Sequence, residues 1–312
     1  LGGVFSGKVD GIDASVVEEI SDLIRVKGIS RVWVDGSNLG FLCKQVKARF
    51  PAVEVFTLFH NCEARFFLGA FRHYKSVRSF GVLVANYLAE RLAVRNSDRL
   101  VCLNGRDSRL LLRLYGRGAT DISAIALRDR MIPAQSGSSP DAVESYVLFV
   151  GGGFYANTAG ISWYAKHVAQ KLPVKTLVVG MGLESVKADF EQSSAVEVIG
   201  EVDDLVPFYL GASFVVAPIF DGSGMKTKVA EALMFGKRIV GTAEAFTGYE
   251  DVLDRVGVAC GSPEDFIHAI KEELGREERS VRPELRVIYE QKYSFAAARG
   301  RLARILGEPQ PS

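Results

Sequence analysis

The stretch "PIFDGSGMKTKVAEALMFGK" (Pro218–Lys237) decides how this chain is read. Its Gly222-Ser223-Gly224-Met225-Lys226-Thr227 imitates the phosphate loop of a nucleoside triphosphatase. That loop needs G-x-x-x-x-G-K-[ST], with the lysine directly after the last glycine. Here Met225 separates Gly224 from Lys226, and Ile219 or Phe220 stands where the first glycine belongs. The triphosphatase reading fails, but the physics of anion binding survives. Phe214–Pro218 reads as a strand, Gly222 and Gly224 permit close backbone approach, and a helix is expected from near Met225 to Phe235, closed by Gly236. The amides and positive dipole end of such a helix attract phosphate oxygens, and Lys226 and Lys228 add full charges. Val229, Ala232 and Leu233 form its apolar stripe, while Glu231 lies within about 60° of both Thr227 and Lys228 around the axis. A cation at the helix start and a carboxylate one turn deeper suit a nucleotide, with phosphates on the amides and lysines and ribose hydroxyls on Glu231. The bland alternative is an ordinary surface pair of Lys228 with Glu231. The flanking glycines and strand end weigh against it.

Outward from this loop, short β-branched runs alternate with longer helical patterns, which argues for parallel βαβ units. Expected strands are 31–35, 53–59, 100–104, 122–127, 146–151, 176–180, 196–199, 214–218, 238–242 and a weaker 256–260, interrupted by Gly257. A first helix is expected to be capped near Asp13 or Ser15. The segment Met131–Asp141 ("MIPAQSGSSPD") is rich in Pro, Ser and Gly and reads as an interdomain linker. The expectation is an α/β protein of two Rossmann-like halves. The second has five or six strands; the first has about four and opens on a loop, as if an initial βα unit were missing.

At this point the sequence resembles a known family. The run from Pro218 to Thr242 looks like the donor-binding region of GT-B glycosyltransferases of the group 1 (family 4, retaining) type, departing at Arg238, where proline is usual. "YVLFVGGGFYANTAGISWYAKHV", "TLVVGMG", "VEVIGEVDDLVPFYLGASFVVAP", "VFTLFHNCEARFF" and "YSFAAARGRLARIL" resemble further parts of that family. The resemblance implies two Rossmann-like domains facing a cleft. The N-terminal acceptor domain (1–135) is abbreviated, the donor domain covers 136–292, and a terminal helix (293–312) packs back on the first domain. It also implies residue roles. Glu231 binds the donor ribose; Ser223, Gly224, Met225, Lys226, Thr227 and Lys228 surround the diphosphate; Gly152 and Gly153 approach the donor closely; main-chain groups near Val202 pair with the base. His60, Lys226 and Glu231 are the catalytic candidates. Two departures stand out: the upstream carboxylate of the family's E-x7-E pair is replaced by Ser223 or shifted to Asp221, and 153–160 holds no basic residue. Lys226 and Lys228 must then carry the whole charge.

Other features are weaker. "VVGMGLES" (178–185) is a partial dinucleotide fingerprint with Ser185 in place of the third glycine and Glu201 at ribose distance. An ordinary tight turn is favoured over an NAD site. His60, Asn61 and Glu63 follow a strand, as do Asp35, Ser37 and Asn38, and ligands of open α/β sheets sit at such ends. His60 reads equally as a sugar or diphosphate partner and as part of a cap. In 64–80, Arg65, Arg72, Lys75 and Arg78 interleave with five aromatic residues. This segment suits a peripheral contact with an anionic membrane, and equally a core-facing helix with a solvated basic face, which is slightly favoured.

The 312 residues are 48% hydrophobic, with 38 basic against 37 acidic residues, so no global charge favours nucleic acid. No apolar run spans a bilayer. Four scattered cysteines read as reduced thiols of a cytoplasmic protein, active at most at the inner face of the membrane. Asp203-Asp204 has the wrong spacing for a metal-binding Asp-x-Asp, so neither metal nor cofactor is expected. The chemistry expected is transfer from a nucleotide-diphosphate sugar to a carbohydrate or lipid-linked acceptor. The alternatives are a nucleotide-sugar epimerase of the same fold and a non-catalytic donor-binding subunit.

Overall fold

The computed structural model describes residues 9, 11–131, 145–183, 187, 190, 194–276 and 281–308. Of the expected linker only Met131 lies among them, and the expected boundary at 135/136 falls outside. The chain forms two compact units, one from Leu1–Ala124 with the segment Gly222–Met225, the other from Ile125–Asp221 with Lys226–Ser312.

In the first unit four parallel strands lie in chain order, β1 (Arg31–Asp35), β2 (Glu54–Phe59), β3 (Arg99–Cys102) and β4 (Asp121–Ile122). Their helices are α1 (Ala14–Lys27), α2 (Gly40–Arg49), α3 (Glu63–Tyr74), α4 (Val77–Asn96) and α5 (Gly105–Tyr115). Asp13 caps α1 by accepting from the Val16 amide, as expected. The central strands bury apolar residues on both faces, Val55, Phe59, Leu100 and Cys102 on one and Phe56 and Val101 on the other, all at 2% exposure or less, because helices cover a parallel sheet on both sides. The strand expected at 122–127 shrinks to two residues. Ser123 still donates its amide to the Cys102 carbonyl, but Leu127 donates to Tyr293 O at 2.8 Å, within the second unit.

The second unit holds β5 (Tyr146–Val150), α6 (Tyr155–His167), β6 (Lys175–Val179), β7 (Val196–Gly200), α7 (Val206–Gly211), β8 (Ala212–Ala217), α8 (Thr227–Met234), β9 (Ile239–Gly241), α9 (Leu253–Val256), β10 (Gly257–Ala259), α10 (Pro263–Leu274), α11 (Pro283–Lys292) and α12 (Phe295–Leu306). Its six strands are parallel in the order β10-β9-β8-β5-β6-β7. Counted from β5 this is the 3-2-1-4-5-6 order of a doubly wound sheet, and the winding reverses between β5 and β8. The β5 run YVLFV is buried at every residue, as a central parallel strand requires.

Candidate functional site

The reversal between β5 and β8 opens the sheet at their carboxyl ends, the place where open α/β sheets take ligands. After β5 the chain turns through Gly151, Gly152 and Gly153 into α6. A Cβ on Gly153 would lie 2.0 Å from the Gly182 carbonyl, so only glycine lets the loops after β5 and β6 pack this closely. Gly182 thus serves a tight turn, in line with the ordinary reading of 178–185; Glu184 and Ser185 lie outside the described residues. Gly152 and Gly153 are exposed, and Val202, on the loop after β7, is half-buried at the same edge of the sheet.

After β8 the chain reaches α8, whose first turn is the feature singled out in the sequence. Val229, Ala232 and Leu233 are fully buried, and Gly236 closes the helix at φ 61°. Lys228, in the first turn, is 8% exposed. Its Nζ donates to Asn157 Oδ1 at 2.9 Å and sits 4.3 Å from the Phe149 ring centroid. Among the described residues no carboxylate lies within ion-pair reach of it. Burial foremost, then the neighbouring Lys226, push its pKa down to about 7, and Glu231 opposes them. Asn157 is held in turn by donating Nδ2 to Gly152 O at 2.9 Å.

Lys226 pairs with Glu244 at 2.9 Å, and its carbonyl accepts from Tyr249 Oη at 2.9 Å. Glu231, half-buried, accepts from Tyr209 Oη at 2.9 Å; the Tyr209 ring is fully buried and stacked on Phe235. Asp221 accepts from Tyr155 Oη at 2.9 Å, and Thr227 is exposed. Arg238, where the family pattern has proline, donates to Glu273 at 2.9 Å, and this buried ion pair ties β9 to α10.

The remaining loop residues belong to the first unit. Ser223 Oγ accepts the Cys62 amide at 3.0 Å, Gly222 O accepts Arg65 Nε at 3.1 Å, and the Gly224 amide donates to Asp107 Oδ2 at 3.0 Å. Gly224 has φ 67°, and a Cβ there would lie 2.4 Å from the His60 carbonyl. Met225 is buried. Ser223 Oγ and the Gly224 amide are therefore spent on fixing the loop, whereas the ammonium groups of Lys226, paired with Glu244, and of Lys228, held by Asn157, lie at the sheet edge. His60 Nε2 lies 2.6 Å from Asp35 Oδ1, joining the adjacent ends of β1 and β2. Below it Glu90, fully buried, accepts from the amides of Glu63 (2.8 Å) and Ala64 (3.2 Å) and from Tyr115 Oη (2.7 Å), and burial raises its pKa.

Sequence reasoning gave no role to Asn157, Tyr209, Glu244 or Asp107. Each reaches its partner across the fold, and no local motif marks it. The four cysteines are free and buried, with pKa values raised mainly by burial, so they are inert packing thiols.

Residues 144–275 match the family described as "Glycosyl transferases group 1". The match covers less than half of the chain, so it marks this region as similar to a group 1 glycosyltransferase domain, while the fold is that of GT-B structures. Sucrose-phosphate synthase from Thermosynechococcus elongatus superposes with a TM-score of 0.69 at 17% identity, over 94% of this chain and 77% of that one. HepE of Anabaena in complex with UDP gives 0.69 at 14% identity, over 94% and 82%. HepE with UDP-glucose gives 0.66 at 13%, over the same shares. No curated protein matches the chain by sequence.

Proposed function

We propose that this protein transfers a sugar from a nucleoside diphosphate sugar to an acceptor hydroxyl. The observation that carries the reading is Lys228. It is a lysine buried at the positive end of a helix with no carboxylate within ion-pair reach among the described residues, at the carboxyl edge of the sheet and at its switch point. Helix dipole and desolvation both oppose a cation there, and an arriving anion relieves both. In this reading the diphosphate lies over the first turn of α8 on Lys226 and Lys228, Glu231 takes the ribose, main-chain groups near Val202 take the base, and Gly152 and Gly153 admit the donor closely. That HepE binds UDP and UDP-glucose favours a uridine donor.

The bond from the anomeric carbon to the diphosphate oxygen breaks with its electron pair on that oxygen, and the acceptor oxygen bonds to the same carbon. The hydroxyl proton leaves to the departing diphosphate. The two lysines hold the developing phosphate charge, so the proposed transfer uses no metal and no cofactor. His60, oriented by Asp35, is kept as a catalytic candidate of the first unit, and retention of anomeric configuration is proposed from the family type. We place the activity in the cytoplasm; no described helix is long and apolar enough to cross a membrane.

The test is thermal. Uridine diphosphate raises the melting temperature, and Lys226→Ala with Glu231→Ala abolishes the rise. Unchanged melting with every common nucleoside diphosphate sinks the reading. Mass spectrometry after incubation with UDP-sugars and acceptors then separates transfer from epimerisation of the donor and from binding alone.

A further inference from the structure

The first unit contains a second feature that the donor site does not use. An open cavity of about 400 Å³ is walled by α3, α4 and α5, with Leu68, Leu83, Val84, Leu110 and Leu114 among its lining residues and Arg65, whose Nε donates to Gly222 O, as the charged one. Protein interiors leave few voids larger than a water molecule, whereas sites for small organic ligands measure about 300–1,000 Å³ and are mainly apolar. The cavity therefore has the dimensions and lining of a ligand site.

The charge around it is mainly positive, with Glu63 at the first residue of α3 as the exception. From Ala64 to Ala89 the sequence contains no acidic residue but holds Arg65, Arg72, Lys75 and Arg78. On α5 the basic residues are Arg106, Arg109 and Arg113, and the one acid, Asp107, is fully buried and accepts the Gly224 amide. The flanking Glu90 is likewise buried and bonded to backbone amides. Close by on the same helices, Tyr74, Val77, Phe80 and Leu112 expose more than half of their surface. Apolar room under a positive rim fits a molecule with an aliphatic chain and an anionic head.

We propose that this cavity binds the aliphatic chain of a single-chain anionic amphiphile, with the basic margin holding its phosphate or carboxylate. Binding stands independently of catalysis. Identifying that amphiphile as the lipid end of the acceptor rests on the transferase reading above.

The probe is dodecyl phosphate below its micellar concentration, titrated calorimetrically into the full chain, beside inorganic phosphate and neutral dodecyl maltoside. One-to-one binding is expected, with the neutral chain at least about tenfold weaker and inorganic phosphate inert. Val84→Trp and Leu83→Trp, which fill the cavity, should each weaken dodecyl phosphate by about tenfold or more. Both variants should keep the wild-type thermal response to uridine diphosphate, which shows that they are folded. Equal binding by wild type and both filled variants overturns the proposal, as does equal binding of inorganic phosphate. Sedimentation with anionic phospholipid vesicles that both filled variants retain, with no binding of monomeric dodecyl phosphate, also overturns it and assigns the face to a membrane surface. If uridine diphosphate has no effect while dodecyl phosphate binds as described, the donor reading fails and the cavity stands.

Discussion

The two units meet the same electrostatic problem and solve it in opposite ways. Each places buried ionisable groups at the N-terminal ends of helices. In the first unit these groups are acids: Glu90 accepts the first two amides of α3, and Asp107 lies in the first turn of α5, where Asn104 caps the helix. Negative charge there is welcomed by the dipole and satisfied by hydrogen bonds. In the second unit the buried group is Lys228, a cation at a helix end that repels it, with one amide oxygen and one aromatic face as company. The first arrangement is finished without a ligand. The second, in the function proposed above, is completed by an arriving anion, and it stands where the strand order reverses.

The most direct way to break this comparison is to remove the charge on each side. Lys228→Met should weaken uridine diphosphate by about 3 kcal/mol, roughly a hundredfold, because a buried charged partner of the phosphate is lost. The same substitution should raise the melting temperature of the free protein, since it removes a desolvated cation. Calorimetric titration and a ligand-free melt read the two effects. A variant that binds normally, or that melts lower, contradicts the assignment of Lys228.

Glu90→Leu should do the reverse. It leaves the Glu63 and Ala64 amides and Tyr115 Oη without their acceptor, which costs about 2–3 kcal/mol of stability. Urea denaturation should show the loss, and uridine diphosphate affinity at a temperature where the variant is folded should stay within about twofold of wild type. A smaller effect is expected from Glu231→Gln. The side chain keeps an acceptor for Tyr209 but loses the charge, and donor affinity should fall about tenfold, or 1.4 kcal/mol. If uridine diphosphate loses affinity here and the ribose-free pyrophosphate does not, Glu231 is a ribose ligand.

How much of this was legible in the sequence differs between the units for a physical reason. All ten strands appear close to where the β-branched runs place them, since buried parallel strands need continuous apolar residues. The failure was at β4, where Ala124 to Leu127 looks like a strand but leaves the sheet to hydrogen-bond Tyr293; a long-range backbone partner overrode local propensity. The first turn of α8 was legible because glycines, lysines and Glu231 fall within ten residues. Asn157 was not, because it meets Lys228 from 71 residues away, and Asp107 reaches Gly224 across 117. Nor does the sequence tell that Lys228 is buried, and this is what turns a common surface pattern into a strained cation.

The burial also ties the second unit to pH through a base rather than an acid: it lowers the pKa of Lys228, whereas in the first unit it raises that of Glu90. Lys228 titrates near 7 in the folded protein and near 10.5 unfolded, so between these values the unfolded chain binds more protons. Its cost to folding is full below pH 7 and fades as pH rises toward 10.5, so the ligand-free melting temperature of the wild type should gain on Lys228→Met across that window. Binding runs the other way. A diphosphate favours the charged lysine, so above pH 7 the protein must take up a proton to bind, and affinity falls by at most tenfold per pH unit. Between pH 7 and 9 we expect uridine diphosphate to weaken about tenfold in the wild type and to stay flat in Lys228→Met. Proton uptake, measured as the buffer dependence of the binding enthalpy at pH 8, should vanish in the same variant. A wild-type affinity that is constant from pH 7 to 9 means that Lys228 keeps its proton throughout, and the contrast between the two helix ends then reduces to one of burial alone.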